Sequence, residues 1–197
     1  MKYRKLGTTD IDVSVICLGT MTWGEQNNQD DGFKQMDYSF ERGVNFFDTA
    51  EVYSIPPRKK TYGKTEEIIG NWFSQNKKRD KIILATKICA KNEETNWIRA
   101  GSERLFFDKK NIIEAVDGSL ERLKTDYIDL YQLHAPERKV AKFGKLDFEY
   151  DPKDTWTDLE ETLECLEDLI KQGKIRHIGL SNETPWGVMN FIKLSEE

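Results

Sequence analysis

The stretch NFFDTAEVYS (45–54) holds the reading on which the fold turns. Asn45-Phe46-Phe47 is the apolar body of a buried strand. At its end the chain places Asp48 and, five residues on, Tyr53. An acid there is either a cap on an ordinary loop or one part of a site, and the neighbouring strands decide which.

Outward from that stretch, VICLGT (15–20), IILATK (82–87), IDLYQL (128–133) and IRHIGLS (175–181) read as further strands. They are near-continuous in apolar residues, as expected of parallel strands covered on both faces. Helical patterns lie between and after them, at about 32–43, 65–76, 109–123, 158–172 and 185–196. Thr65-Glu66-Glu67 predicts a helix start, with an N-cap candidate and acids in the first turn. Thr184-Pro185 predicts another, with proline at the first helical position. The charged leader YRKLGTTDIDVS (3–14) predicts a small hairpin. Five βα units in a row imply a parallel sheet, doubly wound or closed as a barrel. The connections 88–108 and 135–157 are long and follow strands, which puts them at the carboxyl end of the sheet, where ligands bind in either architecture.

Composition narrows the class. The 197 residues are 38% hydrophobic and 33% charged with a net charge of −5, a globular balance that disfavours nucleic acid or an anionic membrane as the main partner. No run approaches the ~18 apolar residues of a membrane span. The start, MKYRKLGTTD, has no apolar core of a signal peptide, so a cytoplasmic location is expected. Cys17, Cys89 and Cys165 form no CxxC pair, and His134 and His177 share no ligand spacing with them, so no metal site is expected. GKT at 63–65 hints at a phosphate-binding loop, but that motif needs glycine at position 58, which is Arg58.

The polar residues then line up at strand ends: Asp48 and Tyr53 after the second strand, Lys87 on the third, His134 after the fourth, Ser181 and Asn182 after the fifth. Each has an ordinary structural reading. Asp48 with Glu51 has capping-box spacing. Tyr53 can be a half-buried aromatic, Lys87 can snorkel to water, and His134 can be a bonded core histidine. Their coincidence on one rim favours a site. A phenol of pKa about 10 is a poor acid near neutrality. A neighbouring ammonium held by a carboxylate is expected to lower that value, and a histidine can orient a carbonyl oxygen. Together they suit protonation of an oxygen during carbonyl reduction by hydride.

These residues resemble the aldo/keto reductase family. The likeness runs through LGTMTWGE (18–25), NFFDTAEVY (45–53), YGKTEEIIG (62–70), ATK (85–87), SLERLKTDYIDLYQLHAP (119–136) and GKIRHIGLSN (173–182), and looks most like the bacterial Tas-like branch. The resemblance implies an α/β fold of the (β/α)8 TIM-barrel type that binds NADPH without a Rossmann motif. It implies Tyr53 as proton donor, Asp48 and Lys87 as its tuning pair, and His134 as the group that orients a small-molecule carbonyl substrate. It also implies Gly19, Thr20, Met21 and Asp48 against the nicotinamide riboside, Ser181 and Asn182 on the carboxamide, and Trp23 as a wall of the substrate pocket.

A barrel of this type needs about 250 residues. Residues 1–197 are therefore expected to be the amino-terminal portion of a single barrel domain, truncated after the fifth βα unit and preceded by the hairpin. Outer strands left open in this way invite self-association. The function expected is NADPH-dependent reduction of an aldehyde or ketone. The alternative is a catalytically inactive fragment or assembly module.

Overall fold

The computed structural model describes residues 1–91, 93–99, 105–141 and 147–196. The charged leader forms the expected hairpin, with β1 (Tyr3–Lys5) antiparallel to β2 (Asp12–Ser14) and Arg4 opposite Val13. Five strands follow, β3 (Cys17–Gly19), β4 (Phe46–Asp48), β5 (Ile83–Ile88), β6 (Ile128–Leu133) and β7 (Ile175–Leu180). They make one parallel sheet in strict sequence order. Five helices alternate with them: α1 (Gln29–Glu41), α2 (Lys64–Asn76), α3 (Lys109–Leu123), α4 (Leu159–Lys171) and α5 (Pro185–Glu196). A sequential order has no reversal and so no topological switch point. That decides against the doubly wound alternative and for barrel-type winding, with consecutive helices packed side by side.

Strand alternation divides the side chains between two faces. Phe47 and Leu84 pack with Met36, Ile69 and Trp72 beneath α1 and α2; Tyr131 and Leu133 pack with Ile112, Val116 and Leu166 beneath α3 and α4. Each fully buried aliphatic or aromatic side chain of this size contributes about 1.5–3 kcal/mol. The opposite face, carrying Asp48, Lys87 and Gln132, is left for the site.

Three local expectations give way to tertiary contacts. Helix α1 begins at Gln29 rather than near residue 32, because Asn28 and Asp31 form a reciprocal capping box. Helix α2 begins at Lys64 behind Gly63, which takes a left-handed turn at φ 69°, so Thr65 is not its cap. The Thr65 hydroxyl instead donates to the Trp23 carbonyl at 2.7 Å. Trp23 itself is 0% exposed, sealed among Met36, Ile68 and Trp72 with its indole N–H bonded to Gln35 at 3.0 Å. It fills the core under α1 and α2 and does not wall a substrate pocket. Its apolar ring is worth more in that seam than at a wet rim.

The two long connections brace each other. Lys91 Nζ donates to Asp154 Oδ1 and the Thr155 carbonyl, both at 2.8 Å, and the Glu137 carboxylate accepts from the Phe107 and Thr157 backbone amides, both at 2.8 Å. Positions 92, 100–104 and 142–146 of these connections lie outside the described residues.

Candidate active site

Register builds the site. Gly19 sits opposite Asp48, Asp48 opposite Ala85, and Lys87 opposite Gln132, so their side chains share one face at the carboxyl end of the sheet. Lys87 is buried and donates to Asp48 Oδ1 at 2.6 Å and to the Thr49 carbonyl at 2.7 Å. It does not snorkel to water. The second Asp48 oxygen accepts from Gln132 Nε2 at 3.2 Å, so neither oxygen serves a capping box.

Tyr53 closes a tight turn in which its backbone N–H donates to the Ala50 carbonyl at 3.0 Å. Its hydroxyl lies 3.5 Å from His134 Nε2, the two rings meet edge to face at 5.5 Å, and the Lys87 ammonium is 5.1 Å from the phenol centroid. His134 is anchored through its backbone: its N–H donates to the Ile88 carbonyl at 3.3 Å, and its own carbonyl accepts from Asn182 Nδ2 at 2.8 Å.

The other sequence-predicted positions are distributed as follows. Thr20 is buried and donates from Oγ1 to the Asp48 carbonyl at 2.8 Å. Asn182 takes a left-handed conformation at φ 53°, and its amide also donates to Ser181 Oγ at 3.0 Å. Gly19 is exposed, and a Cβ built there meets nothing within 4 Å. Met21 has an exposed side chain, while its carbonyl accepts from the Ile55 N–H at 3.0 Å and holds the loop after β3 to the loop after β4. Trp23 stands apart in the core.

Electrostatics overturn one expectation. The Tyr53 phenol is pushed up to about 12, first by burial and then by the Asp48 carboxylate. The ammonium does not lower it, because the contact to Asp48 at 2.6 Å offsets the Lys87 charge and a buried phenolate lacks water. Tyr53 is thus a fully protonated hydroxyl at neutral pH.

The sequence reading missed a buried carboxylate. Glu51 is 0% exposed and accepts from Tyr62 Oη at 2.9 Å and from the Cys89 N–H at 2.8 Å, and it forms an ion pair with Arg99. Burial works against the Arg99 charge, but the Glu51 carboxylate outweighs it and raises the guanidinium above its ordinary value. Only the capping-box spacing drew attention to Glu51, and nothing local links it to a partner 48 positions away.

The model of the aldo/keto reductase family matches residues 15–197. The chain belongs to the aldo/keto reductase family. Among its aldo/keto reductase relatives, Protein tas of Escherichia coli (strain K12) is 41% identical over 197 residues, covering 100% of this chain and 56% of that protein. The uncharacterized oxidoreductase YqkF of Bacillus subtilis (strain 168) is 38% identical over 197 residues, covering 99% and 53%. The solved holo form of aldo-keto reductase AKR11C1 from Bacillus halodurans superposes with a TM-score of 0.70 at 35% identity, covering 98% of this chain and 54% of that one. The chain spans about half the length of the relatives it matches. The aldo/keto reductase assignment carries with it oxidoreduction of carbonyl compounds as the family's chemistry and NAD(P)H as its usual cofactor. Among the described residues no helix is long and apolar enough to cross a membrane.

Proposed function

We propose that this chain carries the chemistry of an NADPH-dependent reductase that converts an aldehyde or ketone into an alcohol, with Tyr53 as the proton donor. The observation that supports this reading best is the convergence of the Tyr53 hydroxyl, the His134 imidazole and the Lys87 ammonium above Asp48 on one rim.

His134 donates a hydrogen bond to the carbonyl oxygen and aims it at Tyr53. Tyr53 gives up its proton as negative charge builds on that oxygen. Even a phenol at about 12 is a far stronger acid than an alcohol, so the transfer runs downhill once an alkoxide forms. Lys87 and Gln132 both donate to Asp48 and hold that carboxylate in place on the rim beside the phenol.

The residues present fit a nicotinamide. The open space over Gly19 admits a flat ring, and Ser181 and Asn182 set a hydroxyl and an amide at the same rim. When bound, the reduced nicotinamide supplies the hydride. Preference for NADPH over NADH is part of the proposal and is carried by the family resemblance.

The test is oxidation of NADPH in the presence of a generic aldehyde, with Tyr53→Phe as control. A positioned general acid contributes about 10²- to 10⁴-fold, so the variant should lose that much turnover. Unchanged turnover would remove Tyr53 from the role. Absence of NADPH binding in a fluorescence titration would instead favour the non-catalytic module.

A further inference from the structure

Two residues before Tyr53, the Glu51 carboxylate gathers three separate pieces of chain. One oxygen accepts from the Cys89 N–H just past β5; the other accepts from Tyr62 Oη and faces the guanidinium of Arg99. Arg99 follows the short 3-10 turn Glu93–Ile98, which lies over the Tyr53 loop through Ile98. The Glu51 backbone adds a second hold on the same strand, its N–H donating to the Lys87 carbonyl at 3.0 Å. Glu51 is 0% exposed and Arg99 has a side chain 3% exposed, so the pair has almost no access to water. Burying two charges is costly and is repaid only by close pairing with added hydrogen bonds.

We propose that the Glu51–Arg99 pair is the tether that locks the Tyr53 turn onto the end of β5 and onto the segment 93–99, which makes Glu51 and Arg99 positioning residues for the proposed reductase site. The proposal rests on that reading for its catalytic consequence, while the tether itself is independent of it. Glu51 supplies the fixed carboxylate, Arg99 the strap, and Tyr62 and Cys89 the side walls. Glu51 acts through its own backbone between Ala50 and Val52, and Arg99 acts through Glu51.

The test compares the 197-residue chain with its double variant Glu51→Gln/Arg99→Met. Removing both charges leaves no orphaned ion in the core, so the variant keeps its fold where a single change risks losing it. Alkylation by iodoacetamide is read at Cys89 and Cys165 separately by peptide mass spectrometry. Both thiols are buried, but Cys165 lies on α4, away from the tether. Local opening should raise the Cys89 rate about tenfold relative to Cys165, whereas a global loss of stability raises both together. An unchanged ratio overturns the tether whether or not the chain reduces carbonyls. In the turnover assay, kcat of the double variant should fall about 10- to 100-fold with KM little changed, since misplacement by about 1 Å costs that much. Wild-type kcat in the double variant of an enzyme that Tyr53→Phe inactivates would overturn the positioning role. Indifference to Tyr53→Phe would instead remove the reductase reading and leave the tether standing.

Discussion

At the amino end of the sheet Asp129 is enclosed by cations, whereas at the carboxyl end Asp48 is enclosed by groups that still have something to offer. The Asp129 carboxylate accepts from Arg79 Nη2 at 2.9 Å, from Arg176 Nη1 at 2.8 Å and from the Leu84 N–H at 3.0 Å. Both guanidiniums lie 3.9 Å from the Tyr127 ring centroid. Asp48 is also matched by a cation, Lys87, but its side chain is 30% exposed. Beside it stand a protonated phenol and an imidazole 3.5 Å apart. The two acids are chemically alike. The difference is in what surrounds each acid: Asp129 is closed over by two guanidiniums and a backbone amide, while Asp48 stays partly exposed on a rim it shares with a phenol and an imidazole. In barrel-type folds residues at the amino end of the strands serve stability, and ligand sites are built at the carboxyl end.

The contrast can be broken in a graded way. The largest effect belongs to Tyr53→Phe, a loss of about 10²- to 10⁴-fold in turnover with the unfolding midpoint in urea nearly unchanged. If stability fell with activity, the rim would be structural like the base. Next comes Asp129→Asn, which leaves Arg79 without its countercharge. It should cost about 3–5 kcal/mol in urea unfolding while the folded fraction keeps wild-type turnover. The third is a pH effect. Because the Tyr53 phenol lies at about 12 against an ordinary 10, the folded chain holds that proton more tightly than the unfolded chain. The resulting stability is full below pH 10 and is lost as pH rises to 12. Over that window wild type should lose about 2 kcal/mol more than Tyr53→Phe, measured by denaturant unfolding at each pH. The smallest effect is Arg176→Gln. Arg176 is 50% exposed and Arg79 still covers Asp129, so the cost should be no more than about 1 kcal/mol.

Much of this was legible along the chain. Short apolar runs spaced by amphipathic ones identify five strands and five helices, because burial on both faces of a parallel sheet leaves little room for alternation. The Thr184-Pro185 start of α5 is also as read, with the Gly187 N–H donating to Thr184 Oγ1 at 3.2 Å. Thr65 looks like a cap when judged by its neighbours in sequence, and Trp23 was given a place on the pocket wall by the family resemblance alone. In the fold they bond to each other, because helix α2 packs onto the loop after β3. The Tyr53 pKa was misjudged because burial was left out and because the acid was counted only as a holder of the cation, not as a charge that offsets it.

What the sequence determined alone was the order of elements and the set of polar groups at the strand ends, since both follow from local periodicity and strand direction. Only the tertiary structure decided which charges meet away from the strand ends. Arg79 is matched to Asp129 across 50 positions and Arg99 to Glu51 across 48. Pairing of charges depends on distance in space and on access to water, and neither is written in the spacing of residues along a chain.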